Sequence, residues 1–368
     1  MKKSIFYFIM ILIMISLPLG MTAGFYAYRK LTLSYNYCEP YGQIDGEIGW
    51  ILKPNSVSCL SLKNHLTGDV YFDSTIFTNE LGARDKAPNR QIQENSIVFI
   101  GDSWTFGYGV NYEQSFPSFV SEDLKVSTIN LGVPAYGSGS TYQLFSRHFE
   151  KLRPKVVIYF TLGLWTRSIC REEQIETTLL PCYFIDSKDE AQIGLPRKGS
   201  VDASAQNNVY PGGYLTSGYN FADMIFKLKP KEILNDVRQI GLSFLTRVGL
   251  AQSQDESVVN LSENSVKKIL KFELDQYAAK LAHTDTLFVL YDPNGYYVKT
   301  TESIQSTLGD RFFYFGADYW SKAVTSQFSN MPIDRVKIPK DGHFTEAANR
   351  IIAKSISNVL AERGIGRQ

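Results

Sequence analysis

Ser103 has the sequence surroundings expected of a catalytic nucleophile. It follows Gly101 and Asp102 directly after the apolar run at residues 97–100. A serine at the carboxyl end of a strand, on a glycine-assisted turn before a helix, is presented outward with its backbone N–H free. The tripeptide alone is a weak signal because many ordinary turns contain a serine. The nucleophile prediction therefore depends on a base elsewhere in the chain.

A base and an acid lie near the carboxyl end, in residues 340–344, just before a predicted final helix. A serine hydroxyl is a poor nucleophile at neutral pH unless an imidazole takes its proton and a carboxylate fixes the tautomer of that imidazole. Among four histidines, only His343 combines a carboxylate two residues before it, Asp341, with a helix start behind it. Ser103, Asp341 and His343 are therefore the predicted catalytic residues.

The elements that must position these residues alternate between apolar strands and helices. This alternation predicts an α/β fold with a parallel sheet and helices on both faces. Candidate strands are at residues 97–100, 128–131, 156–161, 287–291 and 312–315, and candidate helices are near 115–125, 139–152, 264–283, 318–328 and 345–362.

Residues 166–263 do not follow the alternation of strands and helices and are interpreted as an insertion at one end of the sheet. The insertion begins near a cysteine pair and continues through a loop that contains Tyr210, Tyr214 and Tyr219. Insertions at strand ends commonly build substrate pockets in such folds. These tyrosines are candidates for stacking on sugar rings, and packing within the loop is the alternative.

The amino terminus predicts export. Lys2 and Lys3 precede an uncharged apolar run at residues 5–28, which is long enough to cross a bilayer as a helix. An uncleaved membrane anchor at residues 1–30 is favoured over a cleaved signal segment, although Pro18 and Gly20 interrupt the helix pattern. In both cases the chain after residue 30 is expected to be extracytoplasmic, and periplasmic in a Gram-negative cell.

Four cysteines, an even number in an exported chain, predict disulfides. The sequence-local pairing joins Cys38 to Cys59 and Cys170 to Cys182, and two other connectivities remain open. No spacing typical of a zinc site is present, so neither a metal nor another cofactor is expected. Residues 31–95, which are polar and rich in turns, are predicted to form a stalk and a wrapped extension.

Composition narrows the class of protein further. The chain has 368 residues, of which 44% are hydrophobic, so a large buried core is possible. Thirty-eight basic and thirty-seven acidic residues leave a net charge of +1. Without a basic field, nucleic acid is not an expected partner.

The motifs around Ser103 and His343 together resemble those of the SGNH, or GDSL-type, serine hydrolase superfamily over residues 95–362. The segments GWILKP at 49–54 and LGARD at 81–85 resemble extensions of its bacterial envelope members. The resemblance implies a three-layer α/β/α sandwich with a parallel sheet of about five strands. It also implies Ser103 as nucleophile, His343 as base and Asp341 as acid, so the hydrolase-like domain spans residues 96–363.

The resemblance also locates the oxyanion hole, where this chain departs from the family pattern. Besides the N–H of Ser103, the second family block usually offers a glycine N–H, and Ala135 stands there, with Gly137 available under a shifted register. The third block usually offers an asparagine side chain, and Trp165 stands there, with Thr166 and Arg167 as neighbours that could help. Losing one oxyanion donor costs roughly 2.7–4 kcal/mol.

These observations predict an extracytoplasmic serine esterase or O-acyltransferase acting on acyl esters, with O-acetyl groups of a cell-envelope glycan as the expected substrate. The expected partners are this acyl-ester substrate, a cell-surface polysaccharide and the membrane that holds the amino-terminal helix. The alternatives are a catalytically weak carbohydrate-binding or assembly protein that retains the fold, and a lipid or thioester hydrolase.

Overall fold

The computed structural model describes residues 32–172, 180–196 and 261–366. The chain divides into two compact units, one with residues 1–36, 62–70 and 215–258, the other with residues 37–61, 71–214 and 259–368. The predicted anchor or signal segment at residues 1–30 lies outside the described residues, as do Tyr210, Tyr214 and Tyr219. Within the described ranges, no helix combines the length and the apolar character needed to cross a membrane.

The strands are, in chain order, β1 (Leu33–Tyr37), β2 (Gly42–Asp45), β3 (Gly49–Leu52), β4 (Val57–Asn64), β5 (Val70–Thr78), β6 (Arg84–Asp85), β7 (Ile97–Gly101), β8 (Thr128–Gly132), β9 (Val156–Phe160), β10 (Cys182–Ile185), β11 (Ala191–Gly194), β12 (Leu287–Tyr291) and β13 (Phe312–Phe315).

The α-helices are α1 (Ser103–Phe106), α2 (Phe116–Leu124), α3 (Ser138–Leu152), α4 (Glu263–Leu281), α5 (Glu302–Leu308), α6 (Ala317–Trp320), α7 (Ser326–Phe328), α8 (Ile333–Val336) and α9 (Glu346–Glu362). A 3-10 turn at Leu164–Ser168 follows β9.

Five neighbouring strands of the larger unit run parallel, in the order β8-β7-β9-β12-β13. They are the five strands predicted from the sequence, and they form a parallel core within a larger mixed sheet of nine strands. Because β7 lies between β8 and β9, the loops after these three strands leave the same edge of the sheet side by side. Ser103, Ala135 and Trp165 all belong to those loops.

Helices cover both faces of this sheet because successive strand residues point to opposite sides. On one face, Ile158 of β9 packs in a buried cluster with Phe116 of α2 and Ile352 of α9. On the other face, the Tyr159 ring lies 5.4 Å from the Tyr277 ring of α4. The larger unit therefore has three layers, α/β/α.

The sheet extends beyond the predicted five strands. β5 and β6 come from the segment predicted as stalk and wrapped extension, and they add antiparallel strands through the pairs Thr78–Arg84 and Arg84–Asn130. Along β5, buried and less buried residues alternate, with Phe72 and Ile76 inside. This period of two is a strand signal, although the polar composition of the segment obscures it.

Two disulfides join the four cysteines. Cys38 pairs with Cys59 across a Cα separation of 5.1 Å, and Cys170 pairs with Cys182 across 5.7 Å. The sequence-local pairing is therefore confirmed. The second bridge lies at the start of the predicted insertion, where the backbone N–H of Cys170 also donates to the carbonyl of Tyr183 at 3.0 Å.

Glu273 of α4 is a carboxyl group buried among tyrosines. The Tyr159 hydroxyl donates to its Oε1 at 2.8 Å, and the Tyr297 hydroxyl donates to its Oε2 at 3.0 Å. Burial raises the pKa of Glu273 to about 7, although both hydrogen bonds favour the ionised form. The folded protein therefore retains a proton on Glu273 at a pH where an exposed carboxyl has lost it.

We expect Glu273→Gln to gain stability relative to the wild type as pH rises from 4.5 to 7. Over this range the folded wild type binds a proton that its unfolded chain has released, so its stability falls with pH. A pKa raised from 4.5 to about 7 corresponds to about 3 kcal/mol at pH 7.5.

Urea unfolding of both proteins at several pH values measures this effect. Burial also lowers the pKa of His148 to about 4, which makes stability rise with pH over part of the same range. Because His148 is present in both proteins, its contribution cancels in their difference. A difference that stays constant from pH 4.5 to 7.5 would contradict the prediction.

Candidate active site

Gly101 makes the sharp turn that places Ser103 at the end of β7. Its φ is +154°, and a Cβ at this position would lie 2.3 Å from Thr105 Oγ1 and 2.7 Å from the carbonyl oxygen of Phe160. Any side chain would therefore collide with both the following helix and the neighbouring strand. The chain can turn from strand to helix here only because residue 101 is glycine.

Asp102 caps the short helix that begins with Ser103. Its Oδ1 accepts a hydrogen bond from the backbone N–H of Trp104 at 3.0 Å. The helix ends at Gly107, whose φ of +76° places it in the left-handed region. Ser103 is only 7% exposed, so its hydroxyl lies in a largely water-excluded position at the sheet edge.

The turn that holds His343 lies between α8 and α9. The backbone N–H of Ile338 donates to the carbonyl of His343 at 2.8 Å, and Gly342 adopts a φ of +95° between the two predicted catalytic residues. Thr345 caps α9 by accepting from the N–H of Ala348 at 3.3 Å. The start of a 17-residue helix therefore fixes the direction of this turn.

The structure brings together the three residues predicted for the triad. His343 Nε2 lies 2.8 Å from Ser103 Oγ, and His343 Nδ1 lies 2.6 Å from Asp341 Oδ1. Asp341 Oδ1 also accepts from the backbone N–H of His343 at 3.1 Å, and its side chain is 3% exposed. A neutral imidazole protonated on Nδ1 satisfies both contacts, because Nε2 then accepts from the serine hydroxyl.

Two aromatic rings hold the His343 imidazole in place. The Trp104 ring lies 4.9 Å away and the Tyr108 ring 4.8 Å away, centroid to centroid. The Tyr108 hydroxyl in turn lies 3.1 Å from the Tyr37 hydroxyl. Trp104 lies on α1 and Tyr108 lies just after it, so the Ser103 side chain and the His343 ring are positioned by the same short segment.

Arg84 anchors that segment from within the core. It is 1% exposed; its Nη1 donates to the carbonyls of Phe106 and Gly107 at 3.0 and 2.6 Å, and its Nη2 donates to that of Val110 at 2.5 Å. Its guanidinium also stacks over the Phe106 ring at 4.3 Å. Burial lowers the pKa of Arg84 to about 10. One buried side chain therefore satisfies three carbonyls of the loop that carries Tyr108.

Ala135 lies in a tight turn after β8. The N–H of Tyr136 donates to the carbonyl of Val133 at 3.2 Å, and Ala135 between them has a φ of +64°. Pro134 precedes it, and a proline followed by a residue with positive φ is the pattern of a type II turn, which favours glycine at the second position. The alanine is therefore strained at a position where the turn favours glycine.

We expect Ala135→Gly to raise the free energy of unfolding by roughly 0.5–1 kcal/mol. Relief of the left-handed strain contributes about 1–2 kcal/mol, from which the greater freedom of glycine in the unfolded chain subtracts about 0.4–1 kcal/mol. Urea unfolding measures the change. Ala353→Gly in the middle of α9 is the control and should lower stability by about 1 kcal/mol. A destabilised Ala135→Gly variant would contradict the strain argument.

Trp165 lies on the 3-10 turn after β9 and is half-buried. Its ring packs edge-on against the Tyr296 ring at 5.7 Å, and its Nε1 is buried and has no hydrogen-bond partner in the described part of the chain. This turn is hydrogen-bonded to the start of α3, because Ser168 Oγ accepts from the N–H of Gly139 at 2.9 Å. A Cβ on Gly137 would lie 2.2 Å from Ser168 Oγ, so this contact requires glycine.

Arg167, on the same turn, reaches Asp102. Its Nη1 lies 3.0 Å from Asp102 Oδ2; the Asp102 side chain is 2% exposed, whereas the Arg167 side chain is 50% exposed. Burial raises the pKa of the Asp102 carboxyl, and the charge of Arg167 acts in the opposite direction. A cation is therefore fixed beside the residue that precedes Ser103.

Asp292, the other aspartate at a strand end, does not contact His343 by any hydrogen bond of the described residues. Its Oδ2 accepts from the N–H of Tyr297 at 2.8 Å and the hydroxyl of Tyr314 at 3.0 Å. Its carbonyl accepts from the N–H of Gly295 at 3.0 Å, which closes a turn at residues 292–295. In residues 32–172, 180–196 and 261–366, no group of three or more His, Cys, Asp or Glu could hold a metal ion.

Comparison with known proteins finds similarity only to solved structures. No family model and no curated protein matches the chain. A protein assigned to the G-D-S-L family from Desulfitobacterium hafniense is 12% identical, with a TM-score of 0.30, over 73% of this chain and 100% of that one.

Two carbohydrate-active esterases are similar to the same extent. An acetyl xylan esterase from the rumen bacterium Butyrivibrio proteoclasticus is 10% identical, with a TM-score of 0.35, over 75% of this chain and 66% of that one. A family 3 carbohydrate esterase from Clostridium thermocellum is 12% identical, with a TM-score of 0.32, over 75% of this chain and 100% of that one. The chemistry that this site supports follows from its own side chains.

Sequence patterns do not reveal three of the contacts that build this site. Arg84 contacts Phe106, which lies 22 residues further along the chain, and Tyr37 contacts Tyr108, which lies 71 residues further along. No local motif predicts either contact. The pair Asp102–Arg167 spans 65 residues. The only sequence signal for Arg84 is its place in the LGARD segment, where an arginine stands among apolar and turn residues.

Proposed function

We propose that this protein is a serine esterase or O-acyltransferase that uses Ser103 as nucleophile, His343 as general base and Asp341 as the acid that orients it. The observation that carries the proposal is the chain of contacts from Ser103 Oγ to His343 Nε2 at 2.8 Å and from His343 Nδ1 to Asp341 Oδ1 at 2.6 Å. These three groups are 240 and 2 residues apart in the chain, and they meet in the order that acyl transfer to serine requires.

In the first half-reaction, Ser103 Oγ bonds to the carbonyl carbon of the ester while its proton passes to His343 Nε2. Asp341 stabilises the imidazolium that forms. Collapse of the tetrahedral species breaks the bond to the leaving alcohol, which takes the proton from His343. Water or a second alcohol then attacks the acyl-serine with His343 again as base, and this choice of acceptor separates hydrolysis from transfer.

The oxyanion of the tetrahedral species needs preorganised donors near Ser103. The backbone N–H groups of Ser103 and Ala135 are the proposed donors, because both belong to loops at the carboxyl edge of adjacent parallel strands. The third predicted donor, the indole of Trp165, has its nitrogen buried away from solvent.

Two observations support an extracytoplasmic location of the proposed active site. Two disulfides are typical of proteins that mature in an oxidising compartment. The apolar run at residues 5–28 behind Lys2 and Lys3 is long enough for a membrane anchor. We propose that the protein is tethered at the membrane with its catalytic domain outside, and that O-acetyl groups on a surface polysaccharide are its substrate.

Covalent labelling of Ser103 tests the proposal. The full chain in detergent is incubated with p-nitrophenyl acetate, quenched in acid and digested, and the peptide that contains Ser103 is analysed by mass spectrometry. We expect an added acetyl group on Ser103 and release of p-nitrophenol, both absent from Ser103→Ala. Acetylated polysaccharide then replaces the activated ester, and release of acetate is compared with transfer to unacetylated polysaccharide.

Each negative result has a separate meaning. Equal p-nitrophenol release by the wild type and Ser103→Ala would disprove the nucleophile assignment. No release by either protein would favour a carbohydrate-binding protein that retains the fold. Turnover of long-chain acyl esters with none of acetyl esters would favour a lipid hydrolase instead.

A further inference from the structure

Arg167 lies on the turn where the family resemblance predicts the third oxyanion donor, an asparagine that this chain lacks. The 3-10 turn after β9 carries Arg167, which reaches back to the buried Asp102, the residue directly before Ser103. The contact joins Nη1 to Oδ2 at 3.0 Å. Asp102 Oδ1 is occupied by the N–H of Trp104, so the carboxylate is held at both oxygens and its position beside Ser103 is fixed.

Accessibility distinguishes Arg167 from Trp165 as the donor to a substrate. The Trp165 indole nitrogen is buried, so an ester oxygen at the open side of Ser103 cannot reach it without displacing the packing against Tyr296. The Arg167 side chain is 50% exposed and uses one nitrogen on Asp102. A guanidinium has five N–H donors, so others remain for a substrate oxygen.

The turn that carries Arg167 is rigidly placed. Ser168 Oγ accepts from the N–H of Gly139 at 2.9 Å, and the N–H of Thr166 donates to the carbonyl of Gly163 at 3.1 Å. The 3-10 turn is thereby hydrogen-bonded to the start of α3, and the proposed donor Ala135 lies in the turn that leads into α3. Arg167 lies on this turn, directly before Ser168.

We propose that Arg167, oriented by Asp102, donates a charged hydrogen bond to the tetrahedral oxyanion formed on Ser103 and replaces the asparagine of the third block. This inference rests on the proposed serine esterase or acyltransferase activity. As Ser103 Oγ bonds to the carbonyl carbon, the π electron pair moves onto the carbonyl oxygen. The Arg167 guanidinium donates its hydrogen bond to this negatively charged oxygen. A charge-assisted hydrogen bond is roughly twice as strong as a neutral one, so an arginine can do the task of an amide.

Kinetics of Arg167→Gln with p-nitrophenyl acetate tests the role. We expect kcat/KM to fall roughly 10²- to 10³-fold, mainly through kcat, because the interaction forms in the transition state. Arg167→Lys retains a charge without the fork and should recover part of the loss. Arg350→Gln is the matched control: its side chain is 47% exposed, its Nη1 pairs with Glu122 at 3.0 Å, and it should turn over as the wild type does.

The double variant Asp102→Asn/Arg167→Gln separates two explanations. If Arg167 only neutralises the buried Asp102, removing both charges should restore turnover nearly to the wild-type rate. If Arg167 meets the oxyanion, the double variant should be as slow as Arg167→Gln. Asparagine retains the oxygen that caps Trp104, so the turn itself is preserved. Restored turnover would overturn the proposal.

A charged substrate excludes a third explanation. Arg167→Gln is also assayed with 4-acetoxybenzoate, which carries a carboxylate on its leaving group. An equal loss with both esters supports the oxyanion role, whereas a loss confined to the anionic ester would mean that Arg167 binds substrate charge and would overturn it. If the wild type turns over and Ser103→Ala does not, unchanged Arg167→Gln kinetics would disprove this inference alone. An inactive wild type would disprove the proposed function itself.

Discussion

Ser103→Ala and His343→Ala are each expected to lower kcat for an activated acetyl ester by roughly 10⁶-fold. The 2.8 Å contact joins the atom that attacks to the atom that takes its proton, so either deletion removes the covalent route. Asp341→Asn should cost less, roughly 10⁴-fold, because the imidazole remains but its preferred tautomer changes. These magnitudes come from other serine hydrolases with the same arrangement.

The combined variant Ser103→Ala/His343→Ala should be no slower than either single variant. The two residues act as one unit, so their effects do not add. Steady-state release of p-nitrophenol is measured for the wild type, the two single variants and the double variant. The turnover that remains in the double variant should be what substrate binding and the oxyanion donors provide without the Ser103–His343 pair. A double variant slower than both single variants by a further factor of 10³ would show that the two residues act independently.

Asp292→Asn is the control for this series. Asp292 is buried at the end of the neighbouring strand β12, and its carboxylate is held by Tyr297 and Tyr314 rather than by His343. We therefore expect its turnover to stay within about threefold of the wild type once stability is matched. A loss as large as that of Asp341→Asn would assign the acid to Asp292 instead.

Arg84→Met is expected to lower the free energy of unfolding by about 3–5 kcal/mol. The substitution removes three hydrogen bonds from a charged donor, to the carbonyls of Phe106, Gly107 and Val110, each worth roughly 1.5 kcal/mol or more. The Gly107 carbonyl keeps the N–H of Val110 at 3.3 Å and the Phe106 carbonyl keeps Asn130 Nδ2 at 3.5 Å. Total stabilities are about 5–15 kcal/mol, so this loss brings the protein near its unfolding threshold. Urea unfolding at neutral pH provides the measurement.

Arg90→Met is the matched control, since Arg90 is more exposed and its ion pair with Asp85 at 2.9 Å lies nearer the surface. We expect it to cost at most about 1 kcal/mol. Arg84→Met should also slow turnover at temperatures where it remains folded, because the loop it anchors carries Tyr108, which packs on His343. Equal stabilities of the two variants would disprove the anchoring role of Arg84.

The segment at residues 37–85 therefore helps to position the loops of the candidate active site. Arg84 supports the loop after the nucleophile, Tyr37 meets Tyr108, and the hydroxyl of Tyr136 donates to the carbonyl of Trp50. These contacts explain why the segments GWILKP and LGARD contain large aromatic and cationic residues in an otherwise turn-rich stretch. They hold loops at the sheet edge that the parallel strands alone leave unsupported.

The parallel core was predictable because each buried strand is a short apolar run between turn residues. Such runs at 97–100, 128–131, 156–161, 287–291 and 312–315 correspond to β7, β8, β9, β12 and β13. The antiparallel addition was less visible, because β6 has only two residues and β5 has one polar face. A strand with one solvent-facing side carries about half the hydrophobic signal of a strand buried on both faces.

Ser103, Asp341 and His343 could be proposed from sequence because each sits in a local pattern: a strand followed by a glycine turn, and a carboxylate two residues before a histidine at a helix start. Such patterns depend on neighbouring residues, whose spacing the chain itself dictates. The pairing of cysteines 38 with 59 and 170 with 182 was predictable for the same reason, since each pair is close in sequence.

Only the tertiary structure decided which distant side chains complete the site. The left-handed φ of Ala135, the burial of the Trp165 indole nitrogen and the reach of Arg167 to Asp102 depend on how loops from three adjacent strands pack at one sheet edge. Local sequence determines which groups can do chemistry and roughly where each strand ends. Distances between loops follow from strand order and close packing, which are properties of the whole chain.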